Sequence, residues 1–348
     1  MQLGLQLGYW GAQPPEGVGE LVEAAEHAGF DAVFAAEAWG SDAFTPLAWW
    51  GQRTSRIRLG TSIVQMSART PTSCAMHALT LDHLSGGRVV LGLGVSGPQV
   101  VEGWYGRPFA KPLARTREYV DVVRQVLARE APVVNDGPHY PLPYTGEGSV
   151  GLGKPLRSIT HPLRADLPVW LGAEGPKNVA LAAEIADGWL PLYFTPRMAD
   201  TYQGWLDEGF ARPGARRTRE TFEIGATCEL HVTDRPEEKA AVHAALRPRV
   251  ALYMGGMGAR EQNFHKAVFE RMGYRDVAHR IQELFLEGRK EEAAAFVPDE
   301  LLEEIAIVGT PDEVRAQVGR WEDAGVTMLI LALRTPDEVR RVAEVVLA

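Results

Sequence analysis

Cysteine is scarce in this sequence: only Cys74 and Cys228 occur among 348 residues, and neither has a second cysteine close by. That spacing excludes a disulfide framework and a cysteine zinc site, and leaves both thiols as small buried hydrophobes. Positive charge is also in short supply, with 36 Lys and Arg against 45 Asp and Glu and a formal net charge of -9. Such a surface repels phosphate backbones and anionic lipid, so neither nucleic acid nor membrane is an expected partner. No apolar run reaches membrane-spanning length, and the opening MQLGLQLG lacks the basic region and long apolar core of a secretory signal. The expected compartment is the cytosol. No internal repeat or low-complexity tract stands out.

What remains is an ordinary globular composition, 45% hydrophobic and 23% charged, with length for a large core. The stretch from Arg56 to Gly97 is the most informative. It contains a β-branched run around Leu59 to Val64, a helical pattern from Thr70 to Leu84 and a second strand at Arg88 to Leu93. Pro71 suits a first helical turn, and Gly86-Gly87 suits the helix end. The result is a βαβ unit whose strand ends point toward Gln65 to Arg69 and toward Gly92, Gly94 and Gly97.

The same reading extends along the chain. Strands are expected at 2–7, 32–36, 58–64, 89–93, 169–171, 188–192, 222–232 and 327–331. Helices are expected at 18–28, 45–53, 71–84, 113–128, 176–186, 196–208, 237–246, 311–324 and 336–347. Eight strands alternating with helices predict an α/β fold, a (β/α)₈ TIM barrel, with a doubly wound sheet as the alternative. The whole chain, 1–348, is expected to be one barrel domain. Two segments break the alternation: a Gly-, Pro- and His-bearing loop insertion at 132–166, and a charged helical insertion at 247–304.

In such a barrel the chemistry belongs to the loops at the carboxyl ends of the strands. Those loops carry Gly8-Tyr9-Trp10-Gly11, Glu37-Ala38-Trp39, Gln65 to Arg69, Gly94 to Gln99, Ala173 to Asn178 and Tyr193-Phe194. They offer flat aromatic surfaces, backbone amides and a few charges, with no evident strong nucleophile, which suits a planar cofactor better than acyl transfer. Glu174 to Asn178 open a helix, where free amides and Lys177 favour phosphate. His77 and His83 lie on different helix faces and share no metal geometry. His139, His161 and His265 could each reach the mouth, and no spacing singles out one of them.

The ordered set LGTSIVQM, ARTP, LDHLSGGRVVLGLGVSG, GPKNVALAAEIADGWLP and EDAGVTMLIL resembles the luciferase-like monooxygenase superfamily, and within it the coenzyme F420-dependent oxidoreductases. The resemblance spans nearly the whole chain. It implies a non-proline cis peptide in strand three, here Ser62-Ile63, forming a bulge behind a deazaflavin ring. Gln65, Gly94, Ser96 and Gly97 would border the ring or its side chain, and Ala173, Glu174, Gly175, Pro176 and Lys177 would hold the phosphate by backbone amides. Arg69, Lys111, Lys154 and Arg157 are the candidates beside the acidic tail of F420. FMN is the alternative cofactor.

One departure is plain. Sugar-phosphate dehydrogenases of this branch have an Asp-His pair after strand two, where this chain has Glu37-Ala38. The expected catalytic residues are therefore Glu37, as a proton-transfer group or ring-contacting acid, and Trp39; the other reading of Glu37 is a carboxylate satisfied by local hydrogen bonds or an arginine. The expected activity is hydride transfer between the deazaflavin and an unidentified small organic substrate, with no metal, by a homodimer. An FMN-dependent monooxygenase and a non-catalytic flavin or deazaflavin carrier are the alternatives.

Overall fold

Strands buried on both faces read as nearly continuous apolar runs, and AVFA, VVLGLG, VWLG and MLIL do so here. The computed structural model describes residues 1–347. In chain order the strands are β1 (Gln2–Gly8), β2 (Ala32–Ala35), β3 (Arg58–Thr61), β4 (Val64–Gln65), β5 (Val89–Gly94), β6 (Val169–Gly172), β7 (Gly188–Leu190), β8 (Glu223–Val232), β9 (Ala306–Gly309) and β10 (Met328–Leu331). All pair in parallel, and β10 pairs with both β1 and β8, which closes an eight-stranded (β/α)₈ barrel.

The barrel helices are α1 (Val18–His27), α2 (Phe44–Gly51), α3 (Pro71–Ser85), α4 (Pro98–Gly103), α5 (Pro112–Ala128), α6 (Pro176–Ile185) and α7 (Ala199–Phe210). They are followed by α8 (Pro236–Gly255), α9 (Phe264–Arg271), α10 (Arg275–Leu286), α11 (Lys290–Ala295), α12 (Asp299–Ile305), α13 (Pro311–Asp323) and α14 (Pro336–Val346). Proline at the first helical position recurs, including at Pro71, Pro176 and Pro336, where its missing N–H has no intrahelical partner to lose. Thr310 with Glu313 and Thr335 with Glu338 form capping boxes that fix the starts of α13 and α14. Among the described residues, no helix is long and apolar enough to cross a membrane.

Two rings fill the barrel interior. Phe34 and Trp170 lie 5.9 Å apart, packed with Val90, Leu190, Met328 and Ile330. Neighbouring strands carry glycine to make room: a Cβ on Gly60 would fall 2.2 Å from Phe34 Cε1, and one on Gly92 would fall 1.8 Å from the Thr61 carbonyl oxygen. At the amino end, Arg58 reaches over the Trp170 ring and pairs with Glu223 at 3.0 Å.

Three differences from the sequence reading stand out. Strand three is not continuous: β3 ends at Thr61 and β4 resumes at Val64, and the Ser62-Ile63 peptide between them is cis. Helix α8 continues past Pro248 to Gly255, because Val250, Ala251 and Met254 are buried in a second apolar core that rewards the extra turns. The unexpected β9 pairs with the distal half of β8, Glu229 to Val232, as the chain returns from α12. Residues 132–166 contain no helix or named strand, only an isolated bridge between Asn135 and Leu142.

Candidate active site

The carboxyl ends of β4, β5 and β6 lie side by side, with Gln65 paired to Gly94 and Leu93 to Leu171. Ile63 stands at their junction and packs onto the interior cluster. Its side chain fills the space where a Cβ on Gly94 would lie, 2.7 Å from Ile63 Cδ1, and a Cβ on Gly172 would lie 3.3 Å from Ile63 Cγ2. The mouth of the barrel thus has a branched aliphatic floor flanked by two glycines. Ser96 has a φ of 60°, and Gly97 caps α4.

Glu37 fixes this floor from β2. It is buried, and both its oxygens are engaged: Arg69 Nη2 donates to Oε1 at 2.8 Å, while Arg69 Nη1 at 3.0 Å and the Gln65 N–H at 2.9 Å donate to Oε2. Its backbone joins in, because the Glu37 N–H donates to the Ile63 carbonyl and Gln65 Nε2 donates to the Glu37 carbonyl, both at 3.1 Å. Burial opposes the Arg69 charge, but the paired carboxylate outweighs it, so the guanidinium pKa lies above its ordinary value. The arginine expected beside an acidic tail is thus held by Glu37. Gln65 Oε1 is left buried with no partner among the described residues.

Trp39 is 52% exposed on the rim. Trp10 packs on Trp50 with ring centroids 6.2 Å apart, and its N–H donates to Ser41 Oγ. On the opposite wall, Ala173 is buried, with its carbonyl accepting Trp189 Nε1–H at 2.8 Å. Gly175 caps α6 without a side-chain hydrogen bond, and a Cβ there would meet nothing within 4 Å. Pro176 brings no N–H, and Lys177 is exposed beside it. The helix therefore opens onto space, with its positive dipole end and the Lys177 N–H turned to that end.

The helical segment contributes residues to this same rim. His265 on α9 is hydrogen-bonded through Nδ1 to Glu174 Oε1 at 2.7 Å, and Arg271 Nη2 donates to the Glu174 carbonyl at 2.5 Å. Tyr253 on α8 meets the His265 ring edge-on at 5.0 Å. Burial pushes the Tyr253 hydroxyl up to about 12 and the fully enclosed Tyr193 hydroxyl well above its ordinary value. The sequence could not rank His265 above the other histidines or point to Arg271, because both come from far along the chain. Of those others, His77 returns to the Ser73 carbonyl, His83 reaches the His161 carbonyl, and the His139 N–H donates to Glu118.

A cavity of about 570 Å³ opens beyond β4, lined by Ser67, Arg69, Arg107, Arg115, His139 and Tyr140 among others. Lys111, Lys154 and Arg157 are exposed. Both cysteines are buried, as expected of small hydrophobes, and burial raises the Cys74 thiol to about 11.

The model of the Luciferase-like monooxygenase family matches residues 3–328. A protein of Mycobacterium tuberculosis, provisionally named a coenzyme F420-dependent oxidoreductase, is 66% identical over 346 residues, with 99% of each chain covered. The 5,10-methylenetetrahydromethanopterin reductase of Archaeoglobus fulgidus is 30% identical over 315 residues, covering 89% of this chain and 87% of that one. Among solved structures, the coenzyme F420-dependent tetrahydromethanopterin reductase of Methanopyrus kandleri is similar in fold, with a TM-score of 0.79 at 24% identity, covering 99% of this chain and 98% of that one.

Proposed function

Because this chain belongs to the luciferase-like monooxygenase family and is an oxidoreductase, we propose that it works with coenzyme F420 and moves a hydride between C5 of the deazaflavin and a small organic substrate. The observation that carries this reading is the floor of the mouth, where Ile63 sits between Gly94 and Gly172, neither of which sets a side chain against it. A flat ring needs such a surface. When bound, the deazaflavin supplies a two-electron hydride donor or acceptor, and the protein supplies orientation and exclusion of water.

The residues present fit that group. Ser62 and Ile63 back the ring, Gly94, Ser96 and Gly97 border it, and the unpartnered Gln65 Oε1 accepts a hydrogen bond from it. A buried acceptor with no partner carries a penalty of about 1 to 3 kcal/mol that a ligand N–H or O–H would relieve. Ala173, Glu174, Gly175, Pro176 and Lys177 hold the phosphate at the open start of α6. Glu37, with both oxygens engaged, acts as a positioning residue for the Ile63 segment, in place of the proton-transfer role expected for it. Trp39 covers the rim. Exposed Lys111, Lys154 and Arg157 remain the candidates near the acidic tail. The reading includes one barrel domain per chain and assembly as a homodimer, which sedimentation would test.

Titrating the purified protein with F420 and with FMN, followed by cofactor fluorescence, tests the assignment. F420 binding in the micromolar range without comparable FMN binding supports it, and the reverse overturns it. Gly175→Leu is the matching site test. Its backbone, at φ -117°, accepts leucine and no protein atom stands in the way. The variant should fold normally yet bind F420 at least about tenfold more weakly, a loss of about 1.4 kcal/mol.

A further inference from the structure

The cofactor reading uses the Glu174 backbone but leaves its carboxylate, and the His265 ring paired with it, without a role. His265 Nδ1 lies 2.7 Å from Glu174 Oε1, while Glu174 Oε2 is buried with no hydrogen-bond partner among the described residues. A carboxylate oxygen shut away from water without a donor is more costly than a neutral acceptor, so its presence points to a donor that arrives with a ligand. Glu174 follows β6, one strand from the Ile63 floor, and His265 approaches from α9 of the insertion. Tyr253 packs edge-on against the imidazole, and Arg271 holds the Glu174 backbone. The carboxylate on Nδ1 fixes the ring orientation and leaves Nε2 as the nitrogen without a hydrogen-bond partner among the described residues.

We infer that His265, oriented by Glu174, is the catalytic proton-transfer residue at the barrel mouth, and that the substrate is an alcohol or the carbonyl compound formed from it. This rests on the F420 reading above. In the oxidation direction the carbinol C–H leaves with its electron pair as hydride for the deazaflavin, and the O–H proton passes to His265 Nε2. The carbonyl double bond forms from the O–H bonding pair. Substrate carbon is thus oxidised by two electrons and the cofactor reduced by two. The reverse direction returns the proton to the carbonyl oxygen. A couple that needs only a hydride at an iminium carbon would leave such a pair without work, which favours carbon–oxygen chemistry. The chain has Ala38, not histidine, after β2, so the proton partner has to come from another wall of the mouth. The reacting hydroxyl gives its one hydrogen to Nε2, so Glu174 Oε2 takes its hydrogen bond from a second N–H or O–H of the bound ligands.

The test uses the full-length protein with F420 and a panel of primary and secondary alcohols of three to ten carbons, run against the matching aldehydes and ketones with reduced F420. F420 affinity is measured separately by fluorescence. His265→Ala and His265→Gln should keep wild-type F420 affinity and lower the single-turnover hydride-transfer rate by about 100-fold or more, within the usual range for general acid–base catalysis. Added imidazole should restore part of the His265→Ala rate. The wild-type rate should follow a single ionisation that both variants lose. Glu174, Tyr253 and Arg271 are the charged or titratable groups packed on the pair, and Glu174→Gln should change that pH profile, a readout that a purely packing role would not move. ¹⁵N NMR of the His265 ring should report the same Glu174→Gln change without any turnover. Wild-type protein that binds F420 but turns over no alcohol or carbonyl would overturn this proposal alone. Rates in His265→Ala within threefold of wild type would overturn it too. Failure of wild type to bind F420 would overturn the cofactor reading, and this proposal with it.

Discussion

Arg69 meets Glu37 end-on, one guanidinium nitrogen to each carboxylate oxygen at 3.0 and 2.8 Å, with only 15% of the arginine side chain and 4% of the glutamate side chain exposed. Removing one member of a pair this enclosed strands the other charge. Arg69→Ala should therefore lower unfolding stability by about 3 to 5 kcal/mol, measured by urea denaturation. The double variant Glu37→Gln with Arg69→Gln should recover part of the loss, because no charge is then left buried. A loss in Arg69→Ala below about 1 kcal/mol, the level of an exposed pair, would show that the pair does not brace the mouth.

Gly94 and Ile63 compete for the same space. A methyl group on Gly94 would sit 2.7 Å from Ile63 Cδ1, and overpacking of this kind disturbs side-chain positions at a cost of about 1 to 3 kcal/mol. Gly94→Ala should displace the Ile63 side chain and weaken F420 binding by about tenfold, a change of about 1.4 kcal/mol. Adding Ile63→Ala to the same chain should bring part of the affinity back. Wild-type affinity in Gly94→Ala would remove Ile63 from the cofactor floor.

Far from the mouth, Glu26 supplies a pH signature. Partial burial pushes its carboxyl up, but N–H donors from Ile57, Arg56 and Ser55 more than offset that and hold the pKa at about 2, below its ordinary 4.5. Because the folded pKa is depressed, the stabilisation is present above pH 4.5 and is lost as the pH falls toward about 2. Urea midpoints of wild type and Glu26→Gln should differ most near neutral pH and converge across that window. A gap that stays constant through acid would show that these hydrogen bonds do not depend on the carboxylate charge.

Most of the barrel was legible because its strands are buried on both faces. Runs such as VVLGLG and MLIL allow few other readings once helices separate them. The boundary errors have distinct causes. Ala306 to Gly309 is four apolar residues directly after a helix, and only its pairing with β8 makes it a strand. The helix expected at 237–246 runs on through Pro248, because burial of Val250 and Met254 carries it to Gly255. At the candidate site, the residues on consecutive strand ends could be collected from the sequence alone. The partners of Glu37 and Glu174 could not, because Arg69 is 32 residues away and His265 is 91, and no local pattern encodes such pairs. One alternative weighed for Glu37, satisfaction by an arginine, is the arrangement observed.

Strand β8 serves two ladders in sequence: Gly225 to Cys228 pair with β10 to close the barrel, and Glu229 to Val232 pair with β9. The polypeptide that leaves for α8 and the one that returns from α12 are therefore fastened next to each other on one strand. Everything between them, His265 and Tyr253 included, behaves as a cassette with adjacent anchor points. Its length and contents can change without altering the distance its ends must span, and lengthening such a closed segment costs little free energy. A barrel built this way can keep the floor on β4, β5 and β6 constant while the wall above it is rewritten.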